Sequence, residues 1–281
     1  VSAQRLGAPA ELAPAERKAV QALLYSLADD EFVLADRYVD WQVRGPTLEA
    51  DISIANIAQD ELGHARLWYD LLQDFGPSES ELIWERPPDE YRHSTLVEQP
   101  FERGDWADCM LRAYLYDTYE YLHLEALAET SYPRIADRVP KVLAEEAYHR
   151  EHAQSWLETL SADDDARARL QAALDRLFGH ALTLFAPTEY EDDIVELGIR
   201  PVPLADLREQ WLAIVIPYLG ALGLDVPAEG PEDLDDLLPD AAGRDGTHTE
   251  HWQRQYNTFT YTYRYLDRHE ANRLMPDPDD A

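Results

Sequence analysis

The chain has 281 residues, with 56 acidic against 24 basic, for a formal net charge of −32 at neutral pH. A hydrophobic content of 45% allows a substantial core, but no apolar run approaches the length of a membrane span, and no basic stripe is available for nucleic acid. The one cysteine, Cys109, rules out an internal disulfide and a thiolate metal site, and it reads as a small buried apolar residue on a helix.

The elements expected from the sequence are all helical. Residues 1–14 are small, Pro-containing and loose. From Pro14 to Val43, Val20, Leu23, Leu24, Leu27 and then Phe32, Leu34, Ala35, Tyr38 and Val39 recur at three- and four-residue steps. Arg44-Gly45-Pro46-Thr47 marks a turn, and a second helix runs from Glu49 to Phe75, closed by Gly76-Pro77. Residues 77–104 form a long connection, as a crossover between two helix pairs requires. Asp105 to Thr130 is the third helix. After a break at Ser131-Tyr132-Pro133, Ile135 to Leu160 is the fourth. Further helices are expected at Arg167–Phe185, Leu204–Leu222 and about Glu250–Glu270, with 225–246 irregular and 275–281 an acidic tail. No clean boundary divides the chain. The reading is one all-α, ferritin-like domain with a four-helix core over 15–160 and additional C-terminal helices over 161–274.

Two copies of Glu-x-x-His carry the chemistry: Glu61/His64 on the second helix and Glu146/His149 on the fourth. Residues three apart share a helix face, so each Glu and His can reach one point. Two such pairs plus one Glu from each of two other helices make the inward-facing di-iron or di-manganese site of a four-helix bundle. The turn at 44–47 brings Glu31 level with Glu61, and the break at 131–133 does the same for Glu120 and Glu146. Asp117, one turn before Glu120, is the alternative ligand. Carboxylates and imidazoles without thiolates suit iron or manganese. A ligating imidazole usually donates its other N–H to an acid. Asp60 and Glu145, four residues before His64 and His149, are the candidates, on their own helix or across the bundle.

Other features read as structural. His152 belongs to a surface or packing role. Gly246-Thr247-His248-Thr249-Glu250-His251 resembles a metal motif, but its Thr-rich lead into a helix reads better as a cap or interface segment. Tyr116, Tyr119, Tyr121 and Tyr148 read as aromatic packing near the site, and the run Tyr256, Phe259, Tyr261, Tyr263, Tyr265 as rings buried on the bundle or a partner. The start, Val1-Ser2-Ala3-Gln4-Arg5, begins no apolar signal core. Acid spread along the whole chain, with Lys18 and Lys141 the only lysines, is screened at a few ångströms by concentrated salt. Composition therefore points to the cytoplasm of a cell that keeps molar salt inside.

Several motifs carry a family resemblance. Glu49-Ala-Asp51-Ile-Ser-Ile-Ala-Asn56-Ile57 leads into Gly63-x-Ala65-Arg66. Leu96-Val97-Glu98-Gln99-Pro100 precedes Trp106-Ala107-Asp108, and Tyr148-His149 precedes Trp156-Leu157-Glu158. Gly246-x-His248-Thr249-Glu250-His251 follows. Over about residues 20–270 the chain resembles the C-type members of the PaaA/PaaC family of ferritin-like proteins, components of phenylacetyl-CoA 1,2-epoxidase. The resemblance implies a cytoplasmic multi-subunit monooxygenase. In it, a catalytic A subunit holds two irons and binds phenylacetyl-CoA. A small bridging subunit and a reductase with FAD and an iron–sulphur centre, fed by NADPH, complete the assembly. Some C-type members lack ligand residues at the positions of Glu61, His64 and Glu146; here all three are ligand types. Three readings stay open: a C-type partner with an intact di-metal site, an autonomous or catalytic di-iron or di-manganese oxidase or oxygenase, and a structural subunit with vestigial ligands.

Overall fold

The computed structural model describes residues 5–101, 105–228 and 234–266, and among these it contains α-helices, short 3-10 turns and no strand. The core consists of α1 (Pro14–Val39), α2 (Leu48–Gln73), α4 (Trp106–Leu127) and α6 (Val139–Ser161). Several of these start where the sequence supplies partners for the free N–H groups of a first turn. Pro14 opens α1, and Glu16 Oε2 accepts from the Ala13 N–H at 2.7 Å. Thr47 caps α2 through the Ala50 N–H, and Asp105 caps α4 through that of Ala107. The α1–α2 turn is tight at Gly45, whose N–H donates to Asp51 Oδ1 at 2.6 Å. A Cβ there would lie 2.8 Å from that oxygen.

Helix α1 packs along α2, and α4 along α6. The remaining helices are α3 (Glu79–Ile83), α5 (Pro133–Ala136), α7 (Asp164–Leu182), α8 (Glu191–Glu196), α9 (Leu204–Ala221), α10 (Glu250–Phe259) and α11 (Tyr261–Tyr265). Helices α7 and α9 cover α4, and α8 lies on α1. That cladding buries α4 around nearly its whole circumference. The fold is thus a ferritin-like helical bundle with added C-terminal helices. No helix among the described residues is long and apolar enough to cross a membrane.

Boundaries differ from expectation where local chemistry intervenes. Helix α1 ends at Val39 rather than Val43: the N–H groups of Asp40, Trp41 and Gln42 donate three residues back, to Arg37, Tyr38 and Val39, before Val43 adopts a left-handed φ of 65°. The fourth helix is split, since Pro133 and Pro140 each open a new first turn. The 77–104 connection holds α3 and a 3-10 turn at Pro88–Glu90. The last helix breaks at Thr260, where α11 begins. The acidic tail at 275–281 lies outside the described residues.

Candidate metal centre

Glu31, Glu61, His64, Glu120, Glu146 and His149 come from four helices to one place in the bundle interior. All are at most 3% exposed. Three overlapping triads have ligand atoms within 4.8 Å of one another: Glu31/Glu61/His64, Glu61/Glu146/His149 and His64/Glu120/Glu146. His64 Nδ1 lies 3.2 Å from Glu31 Oε2 and 3.5 Å from Glu146 Oε1. His149 Nδ1 lies 2.9 Å from Glu146 Oε1 and 3.6 Å from Glu61 Oε1. Both Nδ1 atoms therefore face the cluster. Asp117 is as buried as these residues but belongs to none of the triads.

The outward Nε2 atoms meet acids across the bundle. His64 Nε2 is 2.8 Å from Glu145 Oε2, and His149 Nε2 is 3.3 Å from Asp60 Oδ2. Where a carboxylate accepts the Nε2–H, the neutral imidazole directs its Nδ1 lone pair inward. The acid in each case comes from the opposite Glu-x-x-His helix.

Inside the cluster, hydrogen-bond partners are missing. Both oxygens of Glu61, Glu120, Glu146 and Asp117 have none, nor do Glu31 Oε2 and the Nδ1 atoms of His64 and His149. Buried polar groups are almost always paired, and so many orphans converging on one point is the signature of a cation site. Four carboxylates and two imidazoles offset much of the charge of two divalent ions, and they suit hard or borderline metals. The donor set thus fits a di-metal centre. Burial and mutual repulsion also shift the proton affinities of these groups. Burial drives the Glu31 carboxyl up to about 7, against the pull of His64. Burial and the Glu146 charge push Asp117 and Glu120 well above the carboxylate range. Burial alone would lower the imidazoles, but Glu31 raises His64 to about 10 and Glu146 raises His149 to about 12.

Sequence reasoning missed two features. Trp68, one turn beyond His64 and fully buried, donates its indole N–H to Glu31 Oε1 at 3.2 Å. Its place four residues after His64 on the apolar face was the available signal. The second is a clasp of His93, Glu98 and His248. Glu98 Oε2 accepts from His93 Nε2 at 2.8 Å and His248 Nδ1 at 3.0 Å, and Oε1 from the Thr249 N–H at 2.7 Å. His248 Nε2 donates to the Tyr91 carbonyl at 3.2 Å. The two imidazoles stack with centroids 4.2 Å apart. Thr249 does cap α10, through the His251 N–H. His248, however, also pins that helix to the crossover, which no local pattern announces.

The aromatic expectations divide. Tyr116 and Tyr119 are buried, while Tyr148 is exposed. In the C-terminal run Tyr256 and Tyr263 are buried, but Tyr261 and Tyr265 stack on each other in solvent. His152 is half-buried beside the Tyr148 ring. Cys109 is fully buried on α4.

The family model described as "Phenylacetic acid catabolic protein" matches residues 6–270. The chain is 30% identical over 243 residues to the C component of the 1,2-phenylacetyl-CoA epoxidase of Escherichia coli (strain K12), an alignment covering 85% of this chain and 94% of that protein. On that coverage the chain belongs to the PaaA/PaaC family of phenylacetic acid catabolic proteins.

Proposed function

We propose that this chain is the C-type component of a phenylacetyl-CoA ring 1,2-epoxidase in aerobic phenylacetate catabolism, and that it carries a di-iron site of its own. The observation that supports the first part most is the near end-to-end match to a relative named as the C component of that epoxidase. The orphaned carboxylate and imidazole atoms support the second. On this reading Glu31, Glu61, His64, Glu120, Glu146 and His149 are the ligands, and Asp60 and Glu145 orient the imidazoles. Bound iron would supply the capacity to take up O₂ and polarise it. The residues of this chain hold the ions, exclude water from the bundle interior and keep the imidazole lone pairs aimed inward.

The partners are a catalytic A subunit, which binds phenylacetyl-CoA, a small bridging subunit, and an NADPH-fed reductase holding FAD and an iron–sulphur centre. All work in the cytoplasm. Co-purification with the A subunit, and phenylacetyl-CoA-dependent NADPH oxidation that requires this chain, test the reading. An A subunit that binds nothing here and needs no second chain would sink it.

The intact ligand set favours a second reading, an independent di-iron or di-manganese oxidase. Iron- or manganese-loaded chain consuming O₂ or peroxide without partners would support that reading. A structural subunit with vestigial ligands would bind less than about a tenth of an ion per chain, against the tight binding expected of a built site.

A further inference from the structure

The two halves of the candidate metal centre share one plan but not one set of neighbours. Four residues after His64 comes Trp68; four after His149 comes Ala153. Three residues before Glu31 comes Ala28; three before Glu120 comes Asp117. All four of these positions are buried. A large donor and a small residue in one half are thus replaced by a small residue and a carboxylate in the other.

The consequence falls on the two single glutamates. Glu31 Oε1 accepts the Trp68 N–H, while Oε2 has no donor and faces His64 Nδ1 at 3.2 Å. The indole holds the carboxylate plane and presents one oxygen to the cluster. Its α1 turn is braced from outside as well. Asp29 accepts from Tyr69, Arg86 and the Arg92 N–H, and Asp30 from the Ser94 N–H and Arg244. Glu120 has no partner on either oxygen, and Asp117 adds two more unpartnered oxygens on the same helix.

We propose that Trp68 is a positioning residue that restricts Glu31 to one ligand oxygen, and that the Trp68/Ala153 and Ala28/Asp117 exchanges make the two metal positions unequal. The Glu31/Glu61/His64 position, where the indole leaves Glu31 one free oxygen, therefore holds its ion differently from the Glu61/Glu146/His149 position, which has no such indole. This rests on the metal reading above.

Anaerobic titration of the full chain with Fe(II) or Co(II) tests it. Wild type should bind two ions in two resolved steps, with His64→Ala abolishing one and His149→Ala the other. Trp68→Phe, which removes the donor and keeps an aromatic ring, should weaken only the step that His64→Ala abolishes, by about ten- to a hundredfold. Trp252→Phe removes another buried indole, one that donates to the Pro88 carbonyl, and should move neither step. Should Trp68→Phe fail to fold, the wild-type chain loaded with ⁵⁷Fe still decides, by Mössbauer spectroscopy. Two unequal quadrupole doublets are expected, and one doublet overturns the proposal. Two equal steps in wild type, or a Trp68→Phe shift that is absent or shared by both steps, overturn it while leaving the metal reading intact. A wild-type chain that binds no ion overturns both.

Discussion

His64 Nε2 and Glu145 Oε2 meet at 2.8 Å across the bundle, one on α2 and the other on α6. Glu145 is the residue immediately before the glutamate of the other Glu-x-x-His pair, so each helix supplies a Glu-x-x-His pair and also the acid that meets its neighbour's outward imidazole nitrogen. The reciprocal contact, His149 to Asp60, is looser at 3.3 Å.

The first prediction concerns these acids. Glu145→Gln and Asp60→Asn should each lower metal affinity by about ten- to a hundredfold, with Glu145→Gln the more severe because its contact is shorter. Metal titration by calorimetry measures this. Unchanged affinity in both variants would show that the acids only decorate the surface.

His64→Ala combined with His149→Ala should empty the site. The carboxylates then remain clustered in a buried pocket, where mutual repulsion raises their pKa values and costs stability. Metal content should fall to near zero by elemental analysis. On the proposed C-type reading, assembly with the A subunit and much of the NADPH oxidation driven by phenylacetyl-CoA should survive. A normally assembled complex whose activity drops by orders of magnitude would place the catalysis on this chain.

Acid should loosen the C-terminal clasp. Burial, then the neighbouring His248, holds the His93 imidazole down at about 4, against the pull of Glu98. A base whose folded pKa is depressed binds protons more weakly folded than unfolded. Its contribution to stability is complete above the unfolded value near 6.5 and is lost as pH falls from there to about 4. For a fully buried imidazole this is on the order of 3 kcal/mol. Urea midpoints should drop across that window, and His93→Gln should flatten the drop. A variant that follows the wild-type curve would remove His93 from the explanation.

Salt should stabilise the fold. A chain at −32 repels itself in dilute buffer, and molar KCl shortens the reach of each charge to about 3 Å. Relief of about 2 kcal/mol corresponds to a rise in Tm of roughly 3–4 °C at this chain size. Equal melting temperatures with and without molar KCl would contradict adaptation to salt.

Helix type, the pairing of helices and the six-residue cluster could all be read locally. Apolar steps of three and four, caps at Thr47 and Asp105, and Glu-x-x-His spacing are properties of one helix at a time, and short turns leave a hairpin few ways to close. The inner face of α1 was legible for the same reason, since Glu31 continues the Leu24, Leu27 and Leu34 side. The roles of Asp29 and Asp30, two residues and one residue earlier, were not. Their partners Arg86, Arg92, Ser94 and Arg244 lie 57 to 214 residues away in the sequence. The donor to Glu31, the swapped acids on His64 and His149, and the Glu98 clasp likewise depend on which side chains face one another between helices. Helical periodicity gives each residue a face, but only packing gives that face a neighbour. A buried carboxylate becomes a ligand, a brace or a clasp according to the donor it meets there.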